Sequence, residues 1–186
     1  MTHGPSEIEG KPAPTSAHCV ALAAAATLDQ FADFTRATPA EAYTRTSDRL
    51  RGGTIGKHLR HTIDHFRAAV IGAQADQPID YDHRDRETPI EREPQAALDA
   101  IAQLTETIRN YNASALDGAV RIEVMLSGAG DCAELQSTLA RELAFAAHHA
   151  VHHAAMLKAI ALEFGFQTPE TFGVAPSTLN YEQTRS

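Results

Sequence analysis

The chain has 186 residues, with 16 Lys and Arg against 24 Asp and Glu and a formal net charge of −8 with His neutral, enough chain to bury one sizeable core. The acidic balance, a sequence pI near 5.6 and the lack of any long Lys/Arg run leave no footprint for a phosphate backbone, so nucleic-acid binding is not expected. A mean hydropathy of −0.28, with no apolar stretch approaching the roughly 18 to 20 residues that cross a bilayer, argues against a membrane span.

Residues 1–15, with Gly4, Pro5, Gly10, Pro12 and Pro14 and few apolar groups, read as a disordered leader ahead of a single domain over 16–186. No basic stretch of the secretory type opens the chain. Cys19 and Cys132 stand in no CxxC pair, so a reducing, cytoplasmic setting is the expectation. Cys19, in an Ala-rich helix, is expected to be a small buried residue. Cys132 has no local base and is not a candidate nucleophile.

From about Ser16 to Arg36 an Ala-rich run with Val20, Leu28, Phe31 and Phe34 at helical spacings predicts a first long helix. Thr38-Pro39-Ala40-Glu41 has the form of a capping box opening a short helix. Thr54 caps a second long helix to about Ala75, where Ile55, Leu59, Ile63, Phe66 and Val70 recur three or four apart. Pro78 to Glu93 is a long polar connection, and a third helix begins near Pro94 and ends around Asn112. Val120 to Leu126 alternates and is β-branched, which fits a short strand or an extended crossover. A fourth helix is expected from about Ala133 to Phe164, and from about 165 a tail without periodicity, punctuated by Gly165, Pro169, Gly173 and Pro176. The leading architecture is an all-α four-helix bundle with a short extra helix and a long connection between helices 2 and 3.

Histidine carries the functional signal. Of ten in the chain, His58, His61 and His65 share one window and His148, His149, His152 and His153 another. On the fourth helix, at about 100° per residue from Leu143, His149 and His153 fall near −120° and −80°, inside the apolar arc with Met156 and Ile160. His148 and His152 fall at roughly 140° and 180°, towards water or a subunit boundary. On the second helix His58, His65 and His61 lie at roughly −100°, −120° and −160° from Leu59, segregated from Lys57, Arg60, Asp64 and Arg67. A lone His on an apolar face is usually a hydrogen-bonded core residue. A pair four apart, joined by another His from a neighbouring helix, instead offers a facial set of imidazoles with open positions, the layout of a catalytic metal site.

Two segments, Thr54-Ile55-Gly56-Lys57-His58-Leu59-Arg60-His61-Thr62-Ile63-Asp64-His65 and Arg141-Glu142-Leu143 through His149-Ala150-Val151-His152-His153, resemble the DinB-like superfamily of four-helix-bundle metalloproteins. Ile79 to Asp82 and Phe172 to Leu179 resemble an uncharacterised branch of it. The resemblance implies an up-down-down-up bundle, a homodimer, and a metal held by His61, His149 and His153, with His58, His65 and His152 as alternative or additional ligands. It also implies a small-molecule substrate, with a low-molecular-weight thiol among the options, and a hydrolase or thiol S-transferase type of reaction.

The first expectation is therefore a metal-dependent enzyme whose divalent Zn, Ni or Fe ion activates water or a thiol. Glu142 is its candidate acid/base or ligand-supporting residue, with a capping or salt-bridge carboxylate as the plainer reading. Tyr81, Asp82, Arg84 and Arg86 are candidates to line the mouth and select an anionic substrate, or else form a solvated loop. A non-catalytic, stress-related metal-binding bundle is the alternative expectation. A purely structural bundle dimerising through its His148 and His152 faces is a third. No Gly-rich phosphate loop, dinucleotide fingerprint or Ser-centred elbow is present.

Overall fold

In the computed structural model, which describes residues 15–75, 77–82 and 86–185, helix α1 spans Ser16–Ala37 and is capped by Thr15, whose hydroxyl accepts from the His18 N–H at 3.2 Å. Its buried stripe runs Ala17, Ala21, Ala24, Ala25, Leu28, Phe31, Ala32 and Thr35. The small residues at its start let neighbouring helices approach closely, while the aromatic end fills the wider part of the core. The short α2, Ala40–Tyr43, follows; Thr38 does not cap it, because its hydroxyl donates back to the Phe34 carbonyl. Helix α3, Ile55–Ala75, starts where Thr54 accepts from the Lys57 N–H at 3.1 Å. A single 3₁₀ turn at Pro89–Glu91 leads into α4, Pro94–Arg109, with proline in the first turn, where no intrahelical N–H is needed. The one-turn α5, Ala113–Leu116, follows.

Helix α6, Leu139–Phe164, is capped by Thr138 and ended by Gly165 in the left-handed conformation (φ 86°). There the Phe166 N–H returns to the Ala161 carbonyl at 3.0 Å. The four long helices close a ring in which α1 packs on α4 and α6, and α3 packs on the same two. One hydrophobic cluster runs through them, centred on Leu28, Phe31, Leu59, Phe66, Ile101 and Leu143.

The expectation of a purely all-α four-helix bundle is corrected by a three-stranded mixed sheet of order β1-β2-β3. Strand β1, Ile79–Asp80, lies parallel to β2, Ala119–Met125, with Ile79 opposite Ile122. Strand β3, Cys132–Thr138, pairs antiparallel with β2 from Ala119 opposite Thr138 to Met125 opposite Cys132. The hairpin turn needs Gly130 at φ 92°, a value costly for any side chain with a Cβ. The segment 133–138, expected as the first turns of the last helix, is thus a strand, and the helix begins six residues later. The tail beyond 165 also differs from its expectation, since it carries α7, Pro176–Gln183. Cys19 is exposed rather than buried, as is Cys132. Among the described residues no helix is long and apolar enough to cross a membrane. Of the expected leader at 1–15, residues 1–14 lie outside the described residues, as does Arg84, while Thr15 is the cap of α1.

Candidate metal centre

Helices α3 and α6 lie side by side, and their facing flanks carry the two histidine windows. The packing brings together His61 of α3 and His149 and His153 of α6: Nε2 of His149 stands 3.0 Å from Nε2 of His61 and 3.0 Å from Nε2 of His153. One ring nitrogen from each lies within 4.8 Å of the others. Three imidazole nitrogens bound at 2.0–2.1 Å to one tetrahedral cation would stand roughly 3.3 Å apart, close to the spacing present. A neutral Nε2 holds either one hydrogen or one lone pair, so hydrogen bonding cannot satisfy all three nitrogens as equals, whereas a cation takes all three lone pairs.

The remaining histidines divide by position. His65 is buried, and its Nδ1 lies 3.0 Å from the His61 carbonyl. That carbonyl can only accept, so the hydrogen of His65 sits on Nδ1. The ring stacks on His149 at 4.2 Å between centroids and meets His61 edge-on at 4.5 Å. His58 contacts His153 through Nδ1 on both rings at 3.2 Å. His152 and His148 are exposed, and neither joins the convergent group.

Burial lowers the pKa of two of these imidazoles, His153 and His58. The His153 imidazole is pushed down to about 3, first by desolvation and then by His149 and the other imidazoles around it. His58 is lowered by desolvation and then by His152. Neutral imidazole is the ligating form. In the metal-free protein His153 binds its proton less readily folded than unfolded, where an ordinary imidazole titrates near 6.5. The stability it contributes is therefore complete above about pH 6.5 and lost as the pH falls towards about 3. Chelator-treated protein should show a lower denaturation midpoint at pH 5.5 than at 7.5, with a smaller difference in His153→Gln; equal differences in the two proteins would refute the neutral burial of His153.

Two clefts flank the cluster. One, of about 460 Å³, is lined by Arg51, Gly53, Lys57, His58, His61, His153 and Met156. Its loop is pinned to the end of α6 by Glu163, which accepts from the Ser47 hydroxyl at 2.6 Å and the Asp48 N–H at 2.8 Å. Arg60, at the rim, is paired with Asp64 at 2.7 Å and Glu91 at 2.8 Å. The second cleft, of about 370 Å³, is lined by His65, Tyr81, Ile122, Arg141, Glu142 and Phe145.

Glu142 is fully buried and its carboxylate accepts from the Tyr81 hydroxyl at 2.8 Å, the Ser137 hydroxyl at 2.5 Å and the Arg141 guanidinium at 2.9 Å. Three donors hold it as a fixed acceptor that joins α6 to β3 and to the segment after β1. Tyr81 stacks on His65 at 5.2 Å and 15°, and its phenol is raised far above the ordinary tyrosine range by burial first and by the Glu142 charge second. Asp82 lines the same cleft as Tyr81 and also accepts from the Met125 N–H at 3.1 Å, which ties it to β2. Arg86 lines a separate depression with Lys57, Arg60 and Glu91. Ser137 as a partner of Glu142, and Arg51 and Met156 as cleft residues, are not evident from the sequence. Ser137 stands only five residues before Glu142, but on the continuous helix expected there the two fall about 140° apart. Met156 reads as one more apolar residue of the arc, and Arg51 belongs to a Gly-Gly turn about a hundred residues from His153.

Among curated proteins, the chain is similar to FK506-binding protein 5 of Rhizopus delemar, with 36% identity over 104 residues, 55% of this chain and 27% of that protein. The chain thus spans about a quarter of the length of the relative it matches. No protein-family model matches the chain, and no solved structure does. The match corrects the resemblance to the DinB-like superfamily, because the relative found carries a different name and no family model supports that membership. The case for a metal accordingly rests on the geometry of this chain's own residues.

Proposed function

We propose that the protein is a metal-dependent enzyme in which His61, His149 and His153 hold one divalent ion, zinc, nickel or iron, through Nε2. The observation that carries this reading is the convergence of three imidazole nitrogens from two packed helices. Imidazole suits any of these metals, and the absence of thiolate from the group leaves the choice among them open. Three protein ligands leave a coordination position for water or substrate, as in catalytic rather than closed structural sites. A bound ion of this kind lowers the pKa of a coordinated water or thiol and polarises an electrophile.

The chain's own residues do the rest. His65 backs His149 and His61, keeping their rings in register. The 460 Å³ cleft admits a small molecule to His61 and His153, and Arg51 and Lys57, with no carboxylate among its lining residues, favour an anionic substrate. A metal store is the competing reading, favoured by the imidazoles surplus to one site. Against it, Nδ1 of His58 and Nδ1 of His65 are already engaged.

The test is elemental analysis of tag-free protein for wild type, His61→Ala and His153→Ala. About one ion per chain in wild type, lost in both variants, is the expected result. It should be accompanied by turnover of small anionic esters or of thiol-plus-electrophile pairs that chelation abolishes and added metal restores. Several ions per chain, or one ion with no turnover across the panel, would move the reading to storage. No ion in wild type, or content unchanged in the variants, would overturn the centre itself.

A further inference from the structure

We propose that His58 is a positioning residue for this centre: it accepts, on Nδ1, the hydrogen that His153 carries on its own Nδ1, and so fixes Nε2 as the nitrogen His153 presents to a cation. The inference rests on the metal reading above and deepens it.

The Nδ1 atoms of His58 and His153 are 3.2 Å apart, so one carries a hydrogen and the other a lone pair. His153 turns Nε2 towards Nε2 of His149 at 3.0 Å, in the convergent group. Ligation through Nε2 requires its lone pair there, which leaves the single hydrogen of neutral His153 on Nδ1 and makes His58 the acceptor. The reverse arrangement, with His58 donating, would put the hydrogen of His153 on Nε2 and close that nitrogen to a metal. A ligating imidazole characteristically donates its second N–H to such a partner, which orients the ring and raises its basicity.

Two further contacts keep His58 in place. The Thr62 hydroxyl donates to the His58 carbonyl at 3.0 Å one turn on. The other ring nitrogen of His58 lies against the Gly53 turn, where a Cβ would come within 2.9 Å of it. With Nδ1 accepting, Nε2 of His58 bears the hydrogen and lies at the wall of the cleft that His58, Lys57 and Arg51 share. His65 does a related but distinct job, since it donates to a backbone carbonyl and not to a ligand ring.

The variants are His58→Leu, which fills the space without an acceptor, and His58→Asn, whose Oδ1 stands the same number of bonds from the backbone as the histidine Nδ1. Zinc affinity is read by competition with a chromophoric chelator, and ligand geometry by the visible spectrum of the cobalt-substituted protein. Wild type and both variants should bind the same number of ions. His58→Leu should bind zinc roughly 10 to 100 times more weakly, and His58→Asn should recover most of that loss with a near-wild-type cobalt spectrum. If His58→Leu fails to fold, His58→Asn against His58→Gln carries the test, because the Gln acceptor sits one bond too far out and should not rescue.

Unchanged affinity in His58→Leu, or an Asn variant no better than Leu or Gln, would overturn the positioning role. Loss of the ion itself in every His58 variant would make His58 a ligand and overturn it equally. A wild-type protein that binds no zinc would defeat the metal reading, and this inference with it, an outcome separate from the others.

Discussion

Phe172→Ala is expected to lower the free energy of unfolding by about 3–5 kcal/mol, the range for deleting a fully packed aromatic ring. Phe172 is 2% exposed and stacks on Phe34 with centroids 4.8 Å apart and planes at 7°, while meeting Phe31 edge-on at 5.5 Å. Both partners belong to α1, so one ring from the C-terminal segment closes the aromatic end of the core. The next residue makes the docking possible. Gly173 has φ 76°, and a Cβ there would lie 2.6 Å from the Ala155 N of α6, so backbone lies against backbone where only glycine fits. The measurement is the urea denaturation midpoint and slope of Phe172→Ala beside Phe172→Leu. Leu should keep about half of the stabilisation, in line with its smaller buried area. A loss in the Ala variant of about 0.5 kcal/mol or less, the level of an ordinary surface substitution, would mean that the segment is not docked as described.

That docking was invisible in the sequence, for a reason that also explains the other misses. Helices α1, α3, α4 and α6 advertise themselves by apolar residues three and four apart, and their ends by Thr54, Pro94 and Gly165. Phe172 lies between Thr171 and Gly173 in a stretch broken by Pro169 and Pro176, with no period to betray which side it buries. Strand β3 fails for the opposite reason. Ala133, Glu134, Leu135 and Gln136 are good helix formers, and they become a strand because β2 pairs with them residue for residue. Alternation and β-branching made β2 legible, but its partner is set by tertiary pairing, and with it the departure from a purely helical bundle.

The candidate site divides along the same line. The wheel of α6 separated His149 and His153 from His148 and His152, and the structure likewise buries His153, half-buries His149 and exposes the other two. On α3 the three imidazoles span only about 60°, too little for a wheel to rank them. The depth at which α3 meets α6 decides it. That packing carries His61 to the convergent nitrogens, turns His65 back onto the His61 carbonyl, and leaves His58 against the far nitrogen of His153.

Glu142→Ala should destabilise the protein by about 3 kcal/mol, from two charge-assisted bonds to half-buried hydroxyls at roughly 1.5 kcal/mol each. The Arg141 pair adds little, because that side chain is 61% exposed and returns to water. Glu142→Gln, which keeps the shape and one carbonyl acceptor, should lose about half as much. The effect should also reach the histidines. Tyr81, released from Glu142, no longer has its ring held against His65, which in turn stacks on His149. Zinc affinity should therefore fall in Glu142→Ala, by less than the roughly 10- to 100-fold loss of a direct ligand-supporting contact, because Glu142 acts on the ligands only through Tyr81 and His65. Tyr81→Phe removes the same hydrogen bond from the other side while leaving the ring in place. If that bond holds the stack, Tyr81→Phe loses zinc affinity as Glu142→Ala does, with roughly 1 to 2 kcal/mol of stability, and Tyr81→Ala, which removes the ring itself, loses at least as much. An affinity unchanged in both Glu142→Ala and Tyr81→Ala would confine Glu142 to joining the sheet to α6, with no part in arranging the imidazoles.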